Sequence, residues 1–330
     1  MNEKIRFVIL GSGNISNTYI NAVNNIDNAE ISAVVSRTKS PESFPNNIQV
    51  YRKLVDVPSA DYDAVIVSTP NGLHHVGTIE AANLGKHVLC EKPIDIDLDN
   101  IDKMISTCSE NNVKLGVAYQ RRFSSDNPIV KDLLVRKTLG NVFSVDLSIK
   151  NYRDDNYYNS AEYRGTYGLD GGGPFIQQAS HYIDLYYWYF GRPQKLVSAL
   201  NTFVHDIEVE DHGAVICTHS NGLISTITAS TATKPGFPAK MEIYSDLGYL
   251  ILENDIITHW EIEGIDNPSR SSHSNTHSGS ASAVVEDTLN HELVIKDFIE
   301  AVLKDRDPLI TGSQAKAATE IILEVYSKQI

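Results

Sequence analysis

The chain has little cysteine, no long apolar run and a deficit of positive charge. Its three cysteines, Cys90, Cys108 and Cys217, lie far apart with no CxxC pair, which argues against a thiolate metal site and fits a reducing, cytoplasmic compartment. No apolar stretch approaches the roughly 20 residues that a membrane helix needs. The opening "MNEKIRFVILGSG" alternates like a strand and runs into a glycine turn, so it reads as the first strand of a fold and not as an export signal. Lysine and arginine number 28 against 42 acidic residues, and the resulting charge of −14 disfavours nucleic acid and anionic membranes as partners. A small anion is still admissible, because a local cluster of cations and backbone N–H groups outweighs a distant net charge. The Ser/His-rich stretch 267–283 holds two histidines among Ser and Asn without nearby carboxylates, so it reads as a surface loop and no metal site is expected. No internal repeat is present.

What is there is a change of rhythm. At 330 residues the chain is long for one core and suggests two domains. Over 1–122, short apolar runs (4–10, 30–36, 63–70, 86–91, 114–120) alternate with helical segments (15–26, 74–85, 98–112), the pattern of a doubly wound parallel sheet covered on both faces. Over 123–330, strand-like segments follow one another (143–151, 195–204, 212–220, 223–231, 239–246, 248–254), with helices predicted at 127–139, around 177–190, at 291–305 and at 312–329. Asn221-Gly222 marks a hairpin. The fold class expected is α/β: an N-terminal Rossmann sheet, then an α+β domain with a large, mainly antiparallel sheet for substrate binding and oligomerisation. The C-terminal helix is free to pack back on the first domain.

Gly11, Ser12, Gly13, Asn14 and Ile15 follow the first strand and open a helix. Gly11 permits the tight turn, Gly13 lets a pyrophosphate approach the backbone, and the helix N-terminus supplies donors; the third glycine of the usual fingerprint is Ser16. The second strand ends in Ser36-Arg37-Thr38-Lys39, where an NAD site carries an acid for the ribose hydroxyls. Two hydroxyls and two cations instead suit a 2′-phosphate, which favours NADP and leaves NAD possible.

The stretches "GSGNIS", "STPNGLHH" (68–75), "GKHVLCEKP" (85–93), "YQRRF" (119–123), "GGGPFIQQASHYIDL" (171–185) and "DFIEAVLKDRDPLITG" (297–312) together resemble the Gfo/Idh/MocA oxidoreductase family. The resemblance implies that Lys92, beside Glu91 and Pro93, is catalytic, that the peptide before Pro93 is often cis, and that His181 is the partner histidine. A lysine partly dehydrated at a domain junction has a lowered pKa and takes a hydroxyl proton as hydride leaves; a solvated loop lysine is the alternative. Thr69, Pro70, Asn71, His74 and Gln120 fall where family members line the cofactor pocket. Asp184 either orients His181 or caps local structure, and the glycines 171–173 suggest close backbone approach near the nicotinamide. Arg122 makes either an interdomain salt bridge or a substrate contact.

Where sugar and polyol dehydrogenases of the family carry an Asp four residues before the histidine, this chain has Gln177. "YYNSAEYRGTYGLDGGG" (157–173) is similar to the branch that oxidises the C3 hydroxyl of UDP-N-acetylglucosamine-type sugars and their uronates, a branch in which NAD is the expected cofactor. The resemblance implies that Arg164 binds a carboxylate or diphosphate and that Gln177 reaches substrate, while Tyr152, Tyr157, Tyr158 and Tyr163 either offer faces to a sugar or uracil ring or pack within strands and helices. Arg121 follows a parallel strand at its carboxyl end, where such sheets bind ligands. A free-sugar or polyol dehydrogenase and an NADP-binding sensor without turnover are the rival functions. Apolar residues on both faces of the second sheet suggest a homo-oligomer, dimer or tetramer.

Overall fold

The computed structural model describes residues 4–45, 48–269 and 288–330. From residue 270 onward the Ser/His-rich loop lies outside the described residues. The chain divides into two compact units, Met1–Gln120 with Ala283–Lys316, and Arg121–Ser282 with Ala317–Ile330.

The first unit carries β1 (Ile5–Leu10), α1 (Asn14–Asn24), β2 (Ala29–Val35), β3 (Gln49–Tyr51), β4 (Ala64–Val67), α2 (His74–Asn83), β5 (His87–Cys90), α3 (Leu98–Glu110) and β6 (Leu115–Val117). Its sheet runs β3-β2-β1-β4-β5-β6, all parallel. Strands covered on both faces need unbroken apolar runs, and all four residues of β4, AVIV, are buried. The helices show the 3.6-residue period: α3 buries Ile101, Met104 and Cys108 on one face, and the Asp97 side chain caps it by accepting from the Asn100 N–H at 2.9 Å. The strand order reverses between β1 and β4, so the crevice beyond their carboxyl ends is where such a sheet takes a ligand.

The second unit contains α4 (Asn127–Val135), β7 (Val142–Lys150), α5 (Asp155–Asn159), α6 (Pro174–Gln177), α7 (Ser180–Phe190), β8 (Lys195–Asn201), β9 (His212–Thr218), β10 (Ile224–Ser230), β11 (Lys240–Ser245), β12 (Gly248–Glu253) and β13 (Ile256–Ile262). Here burial alternates along the strands, as in β9 and β10, so the sheet has one packed face and one open face. The order is β13-β12-β11-β7-β10-β9-β8. Every neighbour is antiparallel except β7 with β10, which makes the sheet mixed. The helix expected around 177–190 is broken, α6 ending at Gln177 and α7 starting at Ser180.

The remaining elements are α8 (Leu289–Leu303) and α9 (Gly312–Ser327). The segment 291–305, placed by its position in the chain in the second domain, belongs to the first unit. There α8 packs on α1, and Phe298 meets Phe7 with ring centroids 6.3 Å apart. Gly116 of β6 leaves room for that ring, since a Cβ there would come within 2.9 Å of it. Sequence order gives no hint of this return, because apolar spacing says that a helix must bury a face but not against which sheet.

Candidate active site

At the end of β1, Gly11 has φ +122° and an added Cβ would stand 2.5 Å from the Ser68 carbonyl oxygen, so only glycine fits. Gly13 is the N-cap of α1 and has no side chain to satisfy the first N–H groups of that helix. A Cβ on Gly13 would meet nothing within 4 Å, so the approach to those donors is open. Ser16 fills the third fingerprint position buried, its hydroxyl donating to the Gly13 carbonyl at 2.6 Å. An open glycine turn over uncapped helix donors is the arrangement that a dinucleotide pyrophosphate requires, and Gly11, Ser12, Gly13, Asn14 and Ile15 fit that group.

The Ser36 hydroxyl is spent within the protein. It donates to the Ser12 hydroxyl at 2.8 Å and accepts the Lys39 N–H at 3.0 Å, so it shapes the turn, while Arg37 and Thr38 stand exposed. Arg52, which sequence reasoning missed, donates from Nη1 to the carbonyls of Ser36 and Lys39 at 2.8 and 3.0 Å.

After β4, Thr69, Pro70 and Asn71 lead through a single 3₁₀ turn into α2. His74 is buried behind them, its Nδ1 2.8 Å from the Pro93 carbonyl and its Nε2 2.9 Å from that of Thr69. Burial pushes its imidazole below the ordinary range. Both ring nitrogens face backbone carbonyls, and a neutral imidazole has one N–H to donate to either of them, so His74 ties itself to the Thr69 or the Pro93 turn.

Beyond β5, the Glu91 carboxylate accepts the Tyr19 hydroxyl at 2.6 Å and the Lys92 N–H at 2.9 Å. The Lys92-Pro93 peptide is cis and the Lys92 side chain is half-buried. Tyr19 is fully buried, and burial with the Glu91 charge holds its hydroxyl well above the ordinary range, so it stays a donor. His291 of α8 lies edge-on to Tyr19 at 5.5 Å, with Nε2 3.4 Å from the Gln120 amide nitrogen. Gln120 Oε1 is buried with no partner among the described residues. His291 carried no sequence signal, being 171 residues from Gln120.

In the second unit, His181 stands half-buried in the first turn of α7. Gln177 ends α6 and donates to the Asp170 carbonyl at 2.5 Å. Asp184 does not orient His181: it takes a two-pronged bond from Arg122, at 2.8 and 2.6 Å, with both side chains buried. The salt bridge expected of Arg122 is thus present and runs from residue 122 to α7; with the unit boundary falling after Gln120, it lies within the second unit. Gly172 and Gly173 are needed for packing: a Cβ on Gly172 would lie 2.2 Å from the Tyr326 hydroxyl, and one on Gly173 would overlap the Glu210 carbonyl. The Glu210 carboxylate accepts the Gly173 N–H at 3.1 Å and the Tyr326 hydroxyl at 3.0 Å, and burial lifts it to about 7.

Arg121 pairs with Asp255 at 2.5 Å and stacks on Tyr182. Tyr158 bonds Thr231 at 2.7 Å, and Tyr152 lies under Lys234. The guanidinium carbons of Arg164 and Arg153 lie 4.3 and 5.1 Å from the centre of the Tyr157 ring, and Arg164 is 6.0 Å from that of Tyr163. Gln178, three residues before His181, donates to the Tyr157 hydroxyl at 3.3 Å. Two cations therefore gather on one aromatic ring tied to the segment that carries Gln177 and His181.

A doubly wound parallel sheet with an open glycine turn at its switch point is the architecture of a dinucleotide-binding fold. The chain belongs to the Gfo/Idh/MocA family: the model "Oxidoreductase family, NAD-binding Rossmann fold" matches residues 5–119, and "GFO/IDH/MocA C-terminal domain" matches 129–251. It is an NAD(P)-dependent dehydrogenase by that membership. The WlbA dehydrogenase from Bordetella pertussis, solved in complex with NADH and UDP-GlcNAcA, superposes with a TM-score of 0.84 at 26% identity, over 99% of this chain and 96% of that one. Inositol 2-dehydrogenase of Rhizobium meliloti is 24% identical over 95% of this chain and 93% of its own. The scyllo-inositol 2-dehydrogenase (NADP(+)) IolW of Bacillus subtilis is 26% identical over 64% of this chain and 58% of its own. Among the described residues no helix is long and apolar enough to cross a membrane.

Proposed function

We propose that this dehydrogenase oxidises a secondary hydroxyl, at C3, of a nucleotide-linked N-acetylamino sugar or its uronate. The observation that carries the reading is the convergence of Arg153 and Arg164 on Tyr157, beside the Gln177–His181 segment. A guanidinium meets a diphosphate or carboxylate with paired charge-assisted bonds, which a neutral sugar cannot accept in that way. The WlbA complex with NADH and UDP-GlcNAcA supports the same substrate class.

Bound nicotinamide dinucleotide supplies the hydride acceptor. Gly11–Ile15 hold its pyrophosphate on backbone donors, with Thr69, Pro70, Asn71 and Gln120 lining the site. Lys92 takes the hydroxyl proton as the carbonyl forms. Glu91 fixes the turn that presents Lys92, by accepting both its N–H and the buried Tyr19 hydroxyl. His181 hydrogen-bonds the substrate. The amide of Gln177 cannot hold an imidazole as an acid–base dyad, so the proton falls to Lys92 and not to the histidine. Arg164 binds the substrate's anionic part, and Tyr152, Tyr163 and Arg121 lie on its path. NADP is the preferred dinucleotide. The enzyme is a cytoplasmic homo-oligomer, in keeping with three free buried thiols and with exposed Val197, Ile216 and Ile224 on the open face of the second sheet.

The near full-length likeness to inositol 2-dehydrogenase favours a free polyol as the second reading. A thermal-shift and turnover panel separates the two. Stabilisation and nicotinamide reduction with UDP-N-acetylglucosaminuronate or UDP-N-acetylglucosamine, and none with inositol or glucose, is the expected result. Turnover with inositol alone would install the second reading, and no turnover with any sugar would leave a binding protein.

A further inference from the structure

We infer that Arg52 is a specificity residue of the cofactor site, shaping the turn after β2 for a phosphomonoester on the adenosine ribose. This rests on the NADP preference proposed above. The argument begins with what Ser36 cannot do. Its one hydroxyl proton goes to Ser12 and its lone pairs face the Lys39 and Thr38 N–H groups at 3.0 and 3.4 Å, so it is not free to recognise a ribose hydroxyl. No acid occupies the turn Ser36–Lys39, so recognition at this strand end passes to the cations around it.

Arg52 organises them. β3 pairs with β2 in register Val35–Tyr51, and the Ser36 N–H bonds the Tyr51 carbonyl at 3.0 Å, which brings residue 52 alongside the turn. Its Nη1 then bridges the carbonyls of Ser36 and Lys39, closing the turn at both ends. The Nε and Nη2 donors have no protein partner among the described residues, and the side chain is exposed. Arg37 and Thr38, held between the two clamped carbonyls, are exposed as well, and Lys39 lies with its ammonium 5.5 Å from the Phe44 ring centre. In a chain of net charge −14, three cations at one turn, anchored through Ser36 to Ser12 of the glycine turn, make a local positive site. A dianionic phosphate gains from every one of these charges, and a ribose hydroxyl gains little.

The test is direct binding, by fluorescence titration of NADPH and NADH to wild type, Arg52→Gln and Arg52→Lys, with the melting temperature of each apo protein as a control. Wild type should bind NADPH at least about tenfold more tightly than NADH, and Arg52→Gln should weaken NADPH about tenfold while NADH changes less than about threefold. Arg52→Lys keeps the charge and can still donate to two carbonyls, but it lacks the further Nε and Nη2 donors that suit a phosphate, so it should fall between the two; it carries the test if the Gln variant does not fold. Equal weakening of both dinucleotides, or of neither, overturns the assignment of Arg52 while the NADP reading survives on the wild-type ratio. A wild type that prefers NADH removes the reading and this inference together.

Discussion

Two buried carboxylates, Glu91 in the first unit and Asp184 in the second, are satisfied in different ways. In the first unit Glu91 is held by a neutral phenol and a backbone N–H; in the second, Asp184 is held by the guanidinium of Arg122, with Trp188 beside it. The neutral cradle costs little to assemble and fixes a turn, that of Lys92. The charged pair is expensive to desolvate, so its worth lies in fixing one arrangement of α7 against the segment 120–123, and it punishes the loss of either partner. Glu210 of the second unit rests in a neutral cradle as well, of the Tyr326 hydroxyl and the Gly173 N–H, so the contrast lies between two kinds of cradle and not between whole units.

Four experiments press on that contrast. The largest effect is expected from Lys92→Ala, which keeps the neutral cradle and removes only the group it presents. Turnover should fall by up to about 10⁴-fold while the dinucleotide dissociation constant changes less than about threefold. Turnover near the wild-type rate would take the proton-handling role away from Lys92. Next, Asp184→Asn strands the buried Arg122 charge and should lower stability by about 3–5 kcal/mol in urea unfolding, whereas replacing both partners by Met and Leu should restore most of the loss. A mild single effect with no rescue would mean that the pair is hydrated.

The third concerns pH. Burial raises Glu210 from 4.5 to about 7, so the native state keeps a proton that the unfolded chain releases. Its stabilising contribution is complete at low pH and is lost as pH rises through about 7, a decline of about 3 kcal/mol at 1.36 kcal/mol per pKa unit. Thermal melts from acid to neutral pH should show this slope in wild type and a flatter one in Glu210→Gln; parallel slopes would place the titration elsewhere. The smallest effect is expected from Tyr19→Phe, which takes one donor from Glu91 and should cost about 1.5–3 kcal/mol. A loss as large as that of Asp184→Asn would erase the distinction between the two cradles.

Much of the first unit was legible because its signals are local. Apolar runs, Gly11 and Gly13 mark strand, turn and helix within a few residues, and Lys92 sits directly after β5. Where contacts depend on register or on distant chain, the sequence was silent. β3 is only three residues long, and β13 mixes Thr, His and Glu with its apolar residues. Arg52 reaches Ser36 only because β3 pairs with β2. Asp184 looked available to His181 because helical spacing hides a partner 62 residues away. The glycines 171–173 were legible as a close approach, but spacing could not say that Tyr326 and Glu210 fill the room.

The edge of the parallel sheet has a practical corollary for anyone dissecting this molecule. Beyond β6, the Val117 N–H bonds the Ile310 carbonyl at 3.1 Å and Gly116 bridges Thr311, while Phe298 covers Gly116 and Phe7. A fragment cut at residue 120 would expose a raw strand edge and a greasy patch, an invitation to stick to its own kind. Any chimera that transplants this nucleotide module should therefore carry α8 and the stretch through Thr311 along with it, as a two-piece graft.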